Sequence, residues 1–194
     1  MNKKSAIFLD RDGVIIDDVD LLIDRNMISI LPGVPEALGD LHSAGFLLVS
    51  VSNQTVIARG LATESAVKAI NRQINSLLIK SGGYPMDNFY FCPHHPQAAL
   101  PRYRIDCECR KPKPGLLLNA AKELNINLKT SYMIGDRISD INAGHAAESK
   151  TILVETGRHL KRPIISDHLD LSIKPDYTCA NLLQASKIIL KVSE

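Results

Sequence analysis

Short apolar runs alternate along the chain with longer stretches of helical periodicity. Ala6 to Leu9 (ending on Asp10), FLLVSVSN from Phe46, NFYFC from Asn88, SYMIGD from Ser131 and TILVE from Thr151 read as strands, with a weaker candidate around Tyr177. Between them, apolar residues recur at helical spacing from Val34 to Ser43, Thr63 to Lys80, Pro114 to Leu124, Ser139 to Ala147 and Asn181 to Val192; Thr63 is placed to cap the second of these. Strand followed by helix, repeatedly, predicts right-handed crossovers and a mainly parallel sheet covered on both faces, hence a doubly wound α/β fold. Residues 1–194 are expected to form one domain with no separate cap domain, since the two long loops, Asp17 to Ile30 and His94 to Pro114, are too short to be domains.

Three of the strands stop on polar residues: Asp10, Ser52 with Asn53, and Gly135 with Asp136. In open α/β sheets ligands bind beyond the carboxyl ends of the strands, so these positions are the candidate site. By itself the DxDG stretch at Asp10 and Asp12 reads as turn chemistry. Asp10 and Asp136 on neighbouring strand ends would repel each other, however, unless a hard cation such as Mg2+ sat between them. With that ion present, Asp10 could attack phosphorus while Asp12 protonates the leaving alkoxide and then activates water. The Ser52 hydroxyl and the Lys111 ammonium would bind the transferring phosphoryl oxygens. Pro112 and Pro114 stiffen the chain after Lys111, and Arg110 is suited to a planar contact with phosphate or sugar.

Composition narrows the partners. Hydrophobic residues make up 45% and charged residues 23% of the 194, with a formal net charge of +2, too weak a field to suggest nucleic acid. Lys3 and Lys4 precede an apolar run that three charged residues break after Leu9, so export is not expected. No apolar stretch approaches the roughly 20 residues that span a bilayer. A soluble, cytoplasmic and monomeric protein acting on a small molecule is the expectation.

In that compartment cysteines are metal ligands or buried thiols rather than disulfides. Cys92, His94, Cys107 and Cys109 bring a three-Cys, one-His set into residues 92–109, which suits a closed zinc site; a reduced thiol cluster is the other reading, and His95 could replace His94. Cys179 reads as a small buried hydrophobe. His42, His145, His159 and His168 read as surface or core-edge residues, and RHLKRP from Arg158 as a solvated loop bordering the site.

LDRDGV, VSVSNQ, RKPKPG and GDRISD resemble, in order and spacing, the four signature motifs of haloacid dehalogenase superfamily phosphatases. The resemblance implies Asp10 as nucleophile, Asp12 as acid/base, Ser52 and Lys111 as phosphoryl binders, and Mg2+ on Asp10, Asp136 and the backbone carbonyl of Asp12, with Arg137 a neighbour only. CPHHP followed by CxCRKPxPG is similar to the zinc-loop branch of that superfamily, which holds heptose bisphosphatases and histidinol-phosphate phosphatases. That likeness implies structural Zn2+ on Cys92, His94, Cys107 and Cys109, fixing the loop that carries Arg110 and Lys111. The implied substrate is a phosphorylated heptose, with histidinol phosphate or another sugar phosphate second. Arg11, Asp18, Val19, Asp20, Leu21, Asn53, Gln54, Thr55 and Arg110 are the expected substrate contacts. The chain departs from the branch at DRDGV, at SNQT and in lacking a Gly-Tyr pair near residue 18. A receiver-like phosphoacceptor module is disfavoured because such modules lack an acid two residues beyond the nucleophile.

Overall fold

The computed structural model describes residues 3–157 and 169–193. His159, His168 and the basic stretch from Arg158 lie outside the described residues. Six strands form one parallel sheet: β1 (Ala6–Leu9), β2 (Leu47–Asn53), β3 (Asn88–Cys92), β4 (Tyr132–Gly135), β5 (Lys150–Val154) and β6 (Tyr177–Cys179). The strand order is β3-β2-β1-β4-β5-β6. Every pairing is parallel. The connections reverse direction at β1 and β4, the place where such sheets open a crevice at their carboxyl edge.

The helices are α1 (Val34–Ser43), α2 (Thr55–Ala58), α3 (Glu64–Lys80), α4 (Gly115–Glu123), α5 (Ile138–Ala146) and α6 (Leu182–Ser193). The four-residue α2 is too short to show a period, and sequence patterning missed it. Thr63 caps α3 as expected, its hydroxyl accepting from the Ala66 amide at 3.1 Å. Side chains of β1 alternate between two cores. Ile7 and Leu9 join Leu38 and Leu41 of α1, Ile70 and Ile74 of α3 and Ile189 of α6 on one face. Ala6 and Phe8 join Leu116 and Leu117 of α4 and Ala143 of α5 on the other. All four residues of β1 are fully buried, so its end is held rigidly between layers. Among the described residues no helix is long and apolar enough to cross a membrane.

Candidate active site and metal centres

Asp10 is the first residue past β1, and its amide donates to the Ile134 carbonyl at 3.0 Å, which ties it to β4. Lys111 arrives from the loop before α4 and is 4% exposed. Its ammonium donates to Asp10 Oδ1 at 2.9 Å and to the Val51 carbonyl at 2.7 Å, and stands 2.6 Å from Asp140 Oδ1. Asp136 follows β4, and Asp140 lies in the first turn of α5, where its Oδ2 accepts from the Arg137 amide at 3.1 Å. Three glycines make room for these acids. A Cβ on Gly135 would collide with the Asp140 side chain, one on Gly157 with Asp136, and one on Gly13 would stand 2.9 Å from Asp136 Oδ2.

Carboxylate oxygens of Asp10, Asp136 and Asp140 lie within 4.8 Å of one another, all buried. Lys111 among them and Arg137, 3.8 Å from Asp136 and already 2.9 Å from Asp18, do not balance three buried carboxylates. Burial pushes the Asp10 carboxyl up to about 6, with Lys111 opposing and Asp140 and Asp12 reinforcing. Burial, then Asp10 and Asp140, push Asp136 up to about 8. On Lys111 burial works downward, but Asp10 and Asp140 outweigh it and lift the ammonium to about 12. A hard dication with oxygen ligands relieves that imbalance, so the donor set fits Mg2+. Asp140 was not among the residues expected from the sequence.

Asp12 has the more open position, with 24% of its side chain exposed. Arg11 differs from expectation. It is the largest fully buried side chain, at 1% exposure, and points to Asp12, Gln54 and Asn71 rather than toward an incoming molecule. Gln54 is also buried, donating to Asp12 Oδ2 at 2.9 Å and to Ser52 Oγ at 3.2 Å. Asn53 grips the backbone of Lys111 from both sides, accepting from its amide at 3.1 Å and donating to its carbonyl at 2.9 Å. Arg11 and Gln54 thus hold Asp12 from the buried side, and Asn53 holds the Lys111 backbone.

The second cluster sits beside the first. Cys92, Cys107 and Cys109 place their sulfurs 3.1 to 3.4 Å apart, and His94 Nδ1 is 3.7 Å from Cys92 and 3.5 Å from Cys109. Sulfurs about 2.3 Å from one tetrahedral centre stand about 3.8 Å apart, so a zinc ion needs the cluster to open by well under 1 Å. His95 is turned elsewhere, its Nδ1 accepting from the Gln97 amide at 3.1 Å, which leaves His94 as the histidine that could complete the set. Hydrogen bonding from Cys92, opposed by burial, holds the Cys109 thiol down at about 5. Its bond to Cys109 and burial push Cys92 up, and burial with Cys109 pushes Cys107 up. A soft dication would take all three as thiolates.

Residues 108–185 match the HAD-hydrolase-like family model. A D-glycero-beta-D-manno-heptose-1,7-bisphosphate 7-phosphatase of Yersinia pestis is 43% identical over 154 residues, 79% of this chain and 81% of that protein. The chain belongs to the HAD-like (haloacid dehalogenase-like) phosphatases. The corresponding enzyme of Pasteurella multocida is 43% identical over 165 residues, 84% of this chain and 86% of that protein. Among solved structures, a D,D-heptose 1,7-bisphosphate phosphatase from B. bronchiseptica, complexed with magnesium and phosphate, superposes with a TM-score of 0.81 at 29% identity, covering 97% of this chain and 99% of that one.

In this HAD-like phosphatase the loop from Asp17 to Ile30 is closed at its base, where the Asp17 amide donates to the Ser29 carbonyl at 2.9 Å. Asp18 is buried and accepts from Arg137 at 2.9 Å, and the same guanidinium approaches Asp136 at 3.8 Å. Val19 packs on the core under β1, and Leu21 on a smaller cluster built by Val56, Ile57 and Ala58 of α2 with Ala98 and Tyr103. Both apolar side chains are half-buried, and Asp20, exposed at a positive φ of 69°, is the turn residue between them. Thr55 opens α2 half-buried. Arg110 is half-buried, its Nη1 donating to the His94 carbonyl at 3.2 Å, so the cysteine loop sets its position. Tyr103 fastens that loop to α3, its hydroxyl donating to Glu64 at 2.9 Å. Cys179 is half-buried and donates weakly to the Asn181 carbonyl, and His42 stacks on Tyr84.

Proposed function

We propose that this chain is a magnesium-dependent phosphomonoesterase that removes the 7-phosphate of D-glycero-D-manno-heptose 1,7-bisphosphate through an aspartyl phosphate on Asp10. The observation that carries this is the buried Lys111 ammonium, 2.9 Å from Asp10 Oδ1, beside the Asp10, Asp136 and Asp140 carboxylates. A nucleophilic acid, a cation for phosphoryl oxygens and a hard-oxygen metal set stand at one strand edge. Unaided phosphomonoester hydrolysis is so slow that enhancements up to about 10²¹-fold are needed, which demands several such groups acting together.

Asp10, Asp136 and the Asp12 carbonyl would hold Mg2+, which when bound supplies positive charge against the phosphoryl oxygens and the nucleophile. Asp10 forms a bond to phosphorus as the bond to the sugar oxygen breaks, and Asp12 gives its proton to that departing oxygen. Water then attacks the aspartyl phosphate and passes a proton to Asp12 as Asp10 leaves. Ser52 Oγ and Lys111 Nζ hold phosphoryl oxygens through both steps, while Asp140 and Asn53 keep Lys111 in place. Zn2+ on Cys92, His94, Cys107 and Cys109 would be structural, because four protein ligands leave no position for an activated water. It would hold Arg110 at the mouth with Asp18 and Arg137, where the rest of the sugar bisphosphate arrives.

Support for the sugar comes from the named relatives and from the similar magnesium and phosphate complex. We take residues 1–194 to act as a single-domain, cytoplasmic monomer supplying heptose for surface glycans. A panel of phosphorylated sugars, including both anomers of the heptose bisphosphate and histidinol phosphate, tests the substrate. The heptose bisphosphate is expected to give the highest kcat/KM with Mg2+ present, and a different winner replaces it.

A further inference from the structure

Arg11 lies between the two reactive acids in sequence yet is turned into the protein. A guanidinium at 1% exposure is costly unless paired and fully hydrogen-bonded. Its partner is Asp12: Nε reaches Oδ2 at 3.2 Å and Nη2 reaches Oδ1 at 3.1 Å, a two-pronged grip. Nη2 also donates to Gln54 Oε1 at 2.8 Å, and Gln54 Nε2 returns to Asp12 Oδ2 at 2.9 Å, which closes a ring. Nη1 donates to Asn71 Oδ1 at 3.2 Å, anchoring the ring to the middle of α3. Asn71 is itself buried, in a helix whose other buried residues are Val67, Ile70, Ile74 and Leu78. A buried amide there has no packing advantage over an apolar residue, and its use is the contact with Arg11.

The torsion that turns a carboxylate plane is broad, so Asp12 on an open turn would sweep through many orientations without this grip. A proton donor must be within hydrogen-bond reach of the leaving oxygen, and a 1 Å displacement can cost about 10²-fold. We infer that Arg11, with Gln54 and Asn71, is a positioning unit that fixes the Asp12 carboxylate for proton delivery to a poor leaving group. The unit touches no substrate; Arg11 and Asn71 act through Asp12, and Gln54 also donates to Ser52 Oγ at 3.2 Å. This rests on the acid/base role proposed for Asp12.

The test compares kcat/KM for an alkyl ester, the heptose bisphosphate, with that for p-nitrophenyl phosphate, whose leaving group departs without a proton. Arg11→Met, Arg11→Lys, Asn71→Leu and Asp12→Asn are measured beside the parent chain, with melting temperature and metal content as folding controls. General acid catalysis contributes about 10²- to 10⁴-fold, so Arg11→Met is expected to lower the alkyl ester about 100-fold and the aryl ester less than about 10-fold. Arg11→Lys, which keeps the charge but not the planar fork, is expected to recover part of the loss, and Asn71→Leu to show the same selectivity at about 10-fold. Equal losses on both esters in Arg11→Met and Asn71→Leu, with Asp12→Asn still selective, overturn the positioning unit and leave the acid/base reading standing. An Asp12→Asn chain that loses both esters equally overturns that reading instead. If Arg11→Met does not fold, Arg11→Lys and Asn71→Leu give the same ratio, and selectivity absent from both overturns the proposal.

Discussion

The two polar clusters of this phosphatase lie side by side but are built in opposite ways. The acid cluster gathers Asp10, Lys111 and the pair Asp136 and Asp140 from three separate stretches of the chain, and the sheet brings them together. The cysteine cluster takes its four members from one stretch, Cys92 to Cys109, much of which lacks regular structure. The first is positioned by a hydrophobic core that exists without metal, so a cation there balances charge more than it organises the chain. The second rests only its cysteines on the core beside α4, while residues 104–106 are exposed, so a cation there would tie the loop to itself. Reaction chemistry suits the rigid, charge-imbalanced place, and a structural ion suits the loop.

The sharpest way to break this contrast is Lys111→Met. It strips the cation from the acid cluster and leaves Asp10 and Asp140 facing each other, and a fall in kcat/KM of about 10²- to 10³-fold is expected, as for loss of a charge-stabilising donor. Zinc content by metal analysis is expected to stay at the parent value, because the loop ligands are untouched. Cys109→Ser attacks the other side. It is expected to lose zinc and about 10- to 100-fold of activity, the scale seen when supports of a site are loosened. The melting temperature should fall while the Mg2+ requirement persists. Undiminished activity in a zinc-free chain would remove the link between loop and site.

A smaller effect separates the clusters by pH. In the folded, metal-free chain Asp136 keeps its proton up to about 8 and Asp10 up to about 6, against an ordinary value of 3.8 for each. The folded state thus binds more protons than the unfolded one between those limits, and metal-free stability declines as pH rises from about 4 to about 8. Mg2+ displaces these protons, so its stabilising effect runs the other way. The rise in melting temperature on adding Mg2+ is expected to be greater by a few degrees at about pH 8 than at about pH 5.5, in the parent and in Cys109→Ser alike. A rise that shrinks with pH would contradict the raised acids.

The strand ends were legible in the sequence because apolar runs that stop on Asp10, Ser52 and Asp136 mark where a parallel sheet opens its crevice. The set Cys92, His94, Cys107 and Cys109 was equally plain, since one loop must close on itself. Only side-chain direction separates His94 from His95. Asp140 is the second residue of the expected helix, where an acid is ordinary; its place one helical turn beyond Asp136 is the sequence signal that puts it at the site. The burial of Arg11 is not legible from its own neighbours, because a charged residue between two acids ordinarily faces solvent. The clue lay elsewhere, in Asn71 interrupting the apolar stripe of Val67, Ile70, Ile74 and Leu78. Loop residues 18–21 were unreadable because Val19 and Leu21 serve cores that exist only after the fold has formed.

The reactive acid itself is best interrogated by rapid-quench peptide mapping of the chain during turnover with Mg2+. A phosphoryl group is expected on the peptide bearing Asp10, in larger amount in Asp12→Asn and absent from Asp10→Asn, which should be inactive with its zinc intact. Phosphate release by Asp10→Asn at the parent rate, or a phosphoryl group on any other residue, would contradict the assignment of Asp10 as nucleophile.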